Sequence, residues 1–593
     1  MPWTDSQSWD LDSIMPGGID GDRYQQAMAQ AEARAGALVP QADALGPPDQ
    51  DPAWAEVIPA LEQASIDLGE PYAWLHCVTA AHSDRARAQR ELGRAGGIAS
   101  RLSRAWTRPE AGIARASEAE RGALEAHPTL APFAPMFLDM KARAKLLLPP
   151  GEQSLAADLA ESSHNEWSRL YNRVSGRLQV QVGDEQMSPG QAFNLLDHED
   201  AAKRRLAFDG MNAAWTSVDD DCAAVLSNLT STRQVLADRV GASEVDSPLT
   251  SHRLDGSTLD AMMEGARAQA PLVGRYLRAK ARLLGHDQLD FCDLRAPVGE
   301  GSRTWSWAEA QDFVVEQMES FSTDMADYAK DAFARRHVEA EDRGHKRAGA
   351  FCIGFSVSKQ SRVFMTFGGT TNNVLTLAHE LGHAYHNHVM WDLHRSQRRV
   401  PSTLAESAST FAEALVRGAA MDRATTDAER LALLDEDLGT ATTMLANIPV
   451  RYAFEREMFR MRRDGPLSPA ALSDAMVRLQ RDWYGDALGQ PDPMFWASKM
   501  HFFMTRPFYN YPYTFGYLFS GLIWARAMAE GPAWAGAYRD LLRDTGAGPC
   551  EDVAQAHLGL DLRDPTAWQQ AVAGLRDKVE RFEALASTRV AAK

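Results

Sequence analysis

The sequence has few cysteines, and they form no recognisable pattern. Its 593 residues include five cysteines that are scattered along the chain, with no Cys-x-x-Cys pair among them. This argues against a disulfide framework and against a cysteine zinc site, and it is typical of a reducing compartment. We therefore expect a cytoplasmic protein.

Long hydrophobic runs and a basic surface are also missing. The most apolar stretch, FGYLFSGLIWARAM, is interrupted by Arg526 well short of the roughly 20 residues that span a bilayer. The opening residues, MPWTDSQSWDLDSI, lack the basic and apolar regions of a signal peptide. The formal net charge is -18, whereas binding to a nucleic-acid backbone needs clustered Lys and Arg. We expect a soluble protein with no membrane or nucleic-acid partner; its oligomeric state is open.

Most of the chain has the spacing of apolar residues that is typical of helices. In YQQAMAQAEARAGAL, from Tyr24, apolar residues recur every three or four positions. Strand signals are few: residues 361–367 alternate with period two, and QLDFCDLRAPV around Phe291 is a second candidate. The sequence predicts a mainly α protein with a small β-sheet. It also predicts an N-terminal helical domain (1–200) and a second domain (201–593).

Residues 376–390 read TLAHELGHAYHNHVM and contain the pattern His-Glu-x-x-His. His379 and His383 are four positions apart, so a helix places them on one face with Cβ atoms about 5–6 Å apart. Two imidazoles at that spacing can bind one Zn²⁺. Glu380 follows the first ligand and can reach a water molecule on the metal. The alternative is a polar helix whose histidines are merely exposed or hydrogen-bonded, because this pattern also occurs by accident.

The two other histidines of this segment fit the site less well. A third histidine at the metzincin spacing would fall six positions after the second ligand, where the chain has Val389. We therefore expect His386 and His388 to lie outside the metal's ligand set.

A carboxylate is then the expected third ligand, as in a His₂Glu site. Asp392 follows too soon for the chain to turn and present a second helix. Glu406 begins the predicted helical run AESASTFAEALV, 23 positions after His383, which leaves room for a loop. In such a helix Glu406, Ser409 and Glu413 share one face. We assign Glu406 to the metal, and Ser409 and Glu413 to the groups that orient its ligands.

These stretches together resemble a known family. HELGHA, from His379, followed by ESAS, from Glu406, is similar to the thimet oligopeptidase clan of zinc metallopeptidases, above all to its oligoendopeptidase F branch. HFFMTRPFYNYPYTFG, from His501, and the N-terminal WDLDSI agree with this. The resemblance implies a two-lobed helical metallopeptidase whose deep channel admits short peptides and excludes folded proteins. The small sheet would lie beside the zinc helix, and the N-terminal domain would form a channel wall.

The resemblance also implies that His501 and a nearby tyrosine stabilise the tetrahedral intermediate. Three tyrosines compete for this role: Tyr509 is favoured first and Tyr513 second, while Tyr511 stays open. Losing one such hydrogen-bond donor typically costs about 2.7–4 kcal/mol of barrier.

The predicted function is that of a zinc-dependent endopeptidase that hydrolyses short oligopeptides, with one Zn²⁺ per chain and Glu380 as general base. Residues 361–367 are expected to offer an exposed strand edge to which a peptide substrate adds. The alternatives are an exopeptidase of the carboxypeptidase or dipeptidase kind with the same chemistry, or an inactive peptide-binding protein. A binder would not need Glu380, which favours an enzyme.

Overall fold

The computed structural model describes residues 6–298 and 303–591. The chain forms two compact units, each built from three separate stretches of sequence. Unit 1 comprises Met1–Lys145, Arg303–Asp422 and Arg526–Leu558, and unit 2 comprises Leu146–Ser302, Arg423–Ala525 and Gly559–Lys593. Neither unit coincides with the expected split near residue 200, because the chain passes repeatedly between them.

Unit 1 is mainly helical. Its helices are Asp22–Asp43, Trp54–Ala81, Ala86–Arg115, Glu118–Ala126, Ala134–Ala144, Trp307–Phe321, Thr323–Ala334, Thr371–Met390, Ser402–Ala405, Ser409–Arg423, Ala535–Asp544 and Cys550–Leu558.

The first three of these helices enclose the hydrophobic core that supports the sheet. In Asp22–Asp43 the buried positions are Tyr24, Met28, Ala31, Ala35, Leu38 and Ala42. Their spacing of three to four is the helical period, as the sequence predicts. The same core includes Phe355 and Phe364 of the sheet, so the N-terminal helices fix the sheet in place.

A three-stranded sheet follows the core helices. Its strand order is Val338–Glu339, Gln360–Phe364 and Phe351–Phe355. The central strand pairs parallel to Val338–Glu339. It pairs antiparallel to Phe351–Phe355, with Cys352 opposite Val363. The strand at one edge of the sheet is therefore Phe351–Phe355.

This order corrects one prediction. Residues 361–367 were expected to provide an exposed edge for a substrate, but Gln360–Phe364 is paired on both sides. Residues 361–364 of this central strand are buried, and alternation alone does not distinguish a central strand from an edge strand. The prediction of a strand around Phe291 is also wrong, since Phe291–Asp293 is a 3₁₀ turn.

In its described residues unit 2 is mainly helical, with the antiparallel hairpin Val180–Val182 and Glu185–Met187 and one isolated β-bridge between Leu289 and Leu488. Its helices are Pro150–Ala160, Glu166–Arg177, Pro189–Asn194, Ala201–Thr216, Asp219–Arg239, Asp246–Ser251, Gly256–Arg267, Ala270–Leu284, Asp427–Thr442, Ile448–Asp464, Pro469–Tyr484, Phe495–Ser498, Tyr511–Glu530, Pro565–Gln570 and Leu575–Ala591; Tyr511–Glu530 runs on into unit 1. The prediction of a mainly α protein with a small sheet is confirmed.

Candidate metal site

The histidine-rich segment lies on the helix Thr371–Met390. The side chain of Thr370 accepts a hydrogen bond from the backbone N–H of Asn373, and Asn373 bonds back to Thr370. This capping box fixes where the helix begins. His379 and His383 then lie one turn apart, with ring centroids separated by 4.9 Å and ring planes nearly perpendicular.

Glu406 is brought to these two imidazoles from the next part of the chain. Its Oε2 lies 3.3 Å from Nε2 of His379 and 3.4 Å from Nε2 of His383. The local structure differs from the predicted helix, because Glu406 ends the short helix Ser402–Ala405 and the next helix begins at Ser409. The turn between them aims the carboxylate at the histidines.

The spacing of these three side chains fits a tetrahedral metal ion. One ligand atom from each lies within 4.8 Å of the others. Metal–ligand bonds of about 2.0–2.1 Å place tetrahedral ligand atoms roughly 3.3 Å apart, close to the separations from Glu406. Two imidazoles and one carboxylate are also a donor set that zinc uses, leaving one position open.

The protonation of the site in the absence of a metal agrees with this fit. Burial lowers the pKa of His379, but hydrogen bonds to Glu406 and Glu413 outweigh it and raise the pKa to about 10. Burial raises the pKa of Glu406, yet its hydrogen bonds with both histidines bring it well below its usual range. Without a metal, a protonated His379 thus places a positive charge beside Glu406. A bound cation would displace that proton and supply the positive charge instead.

Two further groups hold these side chains in place. Oε2 of Glu413 lies 3.1 Å from Nδ1 of His379, the ring nitrogen that does not face Glu406, and Arg417 donates to the other oxygen of Glu413. The hydroxyl of Ser409 donates to Oε2 of Glu406 over 2.6 Å. Ser409 and Glu413 therefore contact the side chains that they were predicted to orient.

Glu380 lies in the same pocket as the three candidate ligands. This pocket has a volume of about 500 Å³, and its walls include His379, His383, Glu406 and the edge-strand residue Phe351. Glu380 is only 6% exposed, and its Oε2 is buried with no hydrogen-bond partner in the described structure. Burial raises the pKa of this carboxyl group. A buried carboxylate oxygen without a partner is costly unless a ligand or water supplies one.

Sequence reasoning missed Gly382, which lies between the two histidines. A Cβ atom at this position would lie 2.6 Å from both the carbonyl oxygen of Ala408 and the Cα of Ser409. Only a glycine lets the turn that carries Glu406 pass so close to the helix Thr371–Met390, which carries two of the candidate ligands and is called the metal helix below. The signal in the sequence was a glycine inside a strong helical pattern, which often marks close backbone packing.

The remaining histidines of the segment lie outside the group of candidate ligands. Nε2 of His386 is 2.8 Å from the hydroxyl of Thr545 and 3.1 Å from the carbonyl oxygen of Leu542. His386 is buried, which lowers its pKa to about 4, and it links the metal helix to a distant part of unit 1. The ring of His388 packs 4.7 Å from that of Tyr328.

His501 and its neighbouring tyrosines belong to unit 2. Nη1 of Arg451 lies 3.5 Å from Nδ1 of His501. Burial, followed by the charges of Arg451 and Lys499, lowers the pKa of His501 to about 4. Arginine can only donate, so a neutral ring in this contact carries its hydrogen on Nε2. The lowered pKa and this contact favour a neutral ring that can donate a hydrogen bond from Nε2.

The three tyrosines differ in how accessible their side chains are. The ring of Tyr509 stacks on that of His501 at 5.3 Å and is half-buried. Tyr513 is 39% exposed, and Tyr511 is fully buried. Of the three, Tyr511 is thus the least able to meet a substrate.

A buried glutamate supports the loop that carries Tyr509. Phe508 has a positive φ of 53°, which is unfavourable for a bulky residue. Its backbone N–H donates to Oε1 of Glu455 over 2.8 Å. Glu455 is fully buried, and burial raises its pKa to about 7.

Comparison with known proteins places the chain in a family. The model of peptidase family M3 matches residues 194–574, and the chain belongs to that family. Oligopeptidase PepF of Bacillus subtilis is 24% identical over 456 residues, covering 74% of this chain and 67% of PepF. The chromosomal oligoendopeptidase F of Lactococcus lactis subsp. cremoris is 23% identical over 388 residues, covering 64% of each chain. The predicted resemblance to oligoendopeptidase F is confirmed.

Solved structures show that the fold is shared. A protein from Chlamydophila abortus matches with a TM-score of 0.84 at 18% identity, covering 98% of both chains. Oligoendopeptidase-F from Enterococcus faecium matches with a TM-score of 0.67, also at 18% identity, covering 95% of this chain and 98% of that one. Within the described part of the chain, every helix is too short or too polar to cross a membrane.

Proposed function

We propose that this protein is a zinc-dependent endopeptidase that hydrolyses short oligopeptides. The observation that carries the proposal is the convergence of His379, His383 and Glu406 at metal-binding separations. Membership of peptidase family M3 supplies the reaction class. His379, His383 and Glu406 would hold the ion, and Glu413 and Ser409 would orient them.

A zinc ion held there would polarise the scissile carbonyl and lower the pKa of a water molecule. Glu380 accepts the proton of the attacking water and delivers it to the nitrogen of the leaving amine. Its burial beside the ligands keeps bulk water away from this transfer. His501 with Tyr509 or Tyr513 as donors to the oxyanion stays a prediction from the family resemblance.

The strand Phe351–Phe355 is the part of the sheet that we propose binds the substrate backbone. It is the edge strand on the side of the candidate site, since Phe351 and Cys352 line the pocket that contains Glu380. A peptide added there would be held by main-chain hydrogen bonds with little demand on its sequence. If the peptide nitrogens of a substrate are methylated one at a time, KM should therefore rise for every second nitrogen along the chain.

The central test compares wild type with Glu380→Gln. We expect about one zinc per chain in both proteins and cleavage of a short quenched-fluorescent peptide only by the wild type. Glu319→Gln, an exposed glutamate paired with Lys330, is the control and should leave both properties unchanged. Equal activity of Glu380→Gln and wild type would refute the assigned mechanism, and absence of zinc from both would refute the site.

The exopeptidase and the inactive binding protein are the remaining alternatives. Mass spectrometry of the products separates them, because an endopeptidase releases internal fragments, an exopeptidase releases terminal ones, and a binding protein releases none.

A further inference from the structure

A second, smaller cavity adjoins the pocket of the candidate metal site. It has a volume of about 250 Å³ and is lined by Gly354 and Ser356, at the end of the edge strand, and by three arginines. Asn387, Met390 and Arg398 line both cavities. A peptide lying along the edge strand would therefore reach this cavity within the same unit of the protein.

The arginines are Arg395 and Arg398, on the 3₁₀ turn Arg395–Arg398 that follows the metal helix, and Arg399, directly after that turn. Among the residues that the structure describes, no carboxylate oxygen lies within 4.0 Å of any of their guanidinium groups. Glu62 attracts all three at longer range, and Asp139 and Glu110 also attract Arg399. Its own short ion pair, however, joins its Oε2 to Nε2 of His394 over 3.1 Å. The lining of the cavity nevertheless has an excess of positive charge, since it includes three arginines and no acidic side chain, in a chain whose net charge is -18.

Burial makes this excess costly. Nε of Arg398 is buried and has no hydrogen-bond acceptor in the described structure. Arg398 packs over the ring of Trp391, with Cζ 5.1 Å from the centroid. Burial, followed by the like charge of Arg399, lowers the pKa of Arg395. Partly buried like charges without partners are unfavourable and are explained if an anion enters the cavity.

We propose that Arg395, Arg398 and Arg399 bind a carboxylate of the peptide substrate and so select where the chain is cut. This rests on the proposed peptidase function, because the cavity adjoins the pocket that contains Glu380. Planar guanidinium groups suit carboxylates, which they can bind with two parallel hydrogen bonds. The carboxylate has two sources, an acidic side chain or the C-terminal carboxylate, and the second would fix the distance of the cut from the C-terminus of the peptide.

The hydrolytic test uses a neutral quenched-fluorescent peptide and matched derivatives. One derivative has a free C-terminal acid in place of the amide, and the others have Glu in place of Gln at successive positions. We expect kcat/KM of the wild type to rise about tenfold or more for one of these changes, because a charged hydrogen bond contributes about 1.5–3 kcal/mol. The position of the gain identifies the source of the carboxylate.

The variants Arg395→Gln, Arg398→Gln and Arg399→Gln should reduce that ratio of acidic to neutral kcat/KM towards one. Arg399 is exposed, so its replacement keeps the test possible even if the other two variants fold poorly. Arg335→Gln removes an exposed arginine, paired with Asp331, and is the matched control whose ratio should equal that of wild type. A wild-type ratio near one at every position, or a ratio unchanged in all three variants, would overturn the proposal.

A binding measurement separates this proposal from the proposed function. Fluorescence anisotropy of the acidic and neutral peptides is recorded on Glu380→Gln, with and without Arg398→Gln. One outcome is that the wild type cleaves no peptide, yet Glu380→Gln prefers the acidic peptide and loses this preference with Arg398→Gln. This outcome supports the carboxylate-binding cavity and refutes the peptidase function. Cleavage of all peptides with no preference in either assay supports the peptidase and refutes the cavity.

Discussion

The Oε2 atom of Glu413 lies 3.1 Å from Nδ1 of His379, while Nε2 of the same ring faces Glu406. A carboxylate at Nδ1 requires a hydrogen on that nitrogen, which leaves Nε2 free to bind a metal. One residue thus selects both the tautomer and the orientation of the candidate ligand.

Replacing this carboxylate should weaken metal binding without removing a ligand. We expect Glu413→Gln to lower zinc affinity about tenfold, since loss of such a partner typically costs 10–100-fold. Competition with a chromophoric chelator measures this affinity. Glu319→Gln is again the control, and unchanged affinity in Glu413→Gln would show that the contact does not orient His379.

Gly382 offers a test of the packing behind the site. A Cβ atom there would overlap the backbone of Ala408 and Ser409, so Gly382→Ala should force the metal helix and the Glu406 turn apart. We expect a loss of about 1–3 kcal/mol in stability together with weaker zinc binding. Thermal unfolding and the chelator assay report the two effects.

Gly418→Ala provides the matched control for this substitution. Gly418 also lies inside a helix, Ser409–Arg423, but a Cβ atom there meets nothing within 4 Å. Alanine should therefore stabilise the protein by about 0.4–1 kcal/mol. Equal effects at both glycines would contradict the packing argument.

Sequence patterns predicted the parts of the site that depend on local geometry. The roles of His379, Glu380 and His383 could be predicted because a helix fixes which residues share a face. The sequence did not predict that Phe351–Phe355 is the edge strand beside the site. The strand order depends on Val338–Glu339, which has only two residues and no recognisable pattern. The arginine cavity could not be predicted either, because the sequence does not show which acidic side chains lie near the three arginines.

Glu455 should make stability depend on pH. Its pKa rises from about 4.5 unfolded to about 7 folded, so the folded protein binds the proton more tightly. The free energy of unfolding should then fall by about 3 kcal/mol as pH rises from about 4.5 to about 7. Glu455→Gln removes this loss, so its stability relative to wild type should be greater at pH 8 than at pH 5.

Denaturant midpoints at the two pH values check this expectation. Glu457→Gln, on the same helix Ile448–Asp464 but half-exposed and paired with Arg460, is the control. An advantage of Glu455→Gln that is the same at both pH values would mean that Glu455 is not the titrating group.

The three tyrosines can be distinguished by how much the replacement of each one lowers kcat. If Tyr509 or Tyr513 donates to the oxyanion, its replacement by Phe should lower kcat about 10²–10³-fold with zinc content unchanged. Tyr511→Phe should have a much smaller effect on kcat, because Tyr511 is fully buried. Steady-state kinetics of the three variants decides between them, and a large loss for Tyr511→Phe alone would reverse the ranking.

The contact between His386 and Thr545 has a consequence for how the protein is made. The two residues are 159 positions apart, and ribosomes add about 5–20 residues per second. The metal helix therefore emerges roughly 8–30 s before the residue that secures it. Throughout that interval unit 1 lacks its third stretch, Arg526–Leu558, so the candidate metal helix is made well before the part of unit 1 that packs against its end.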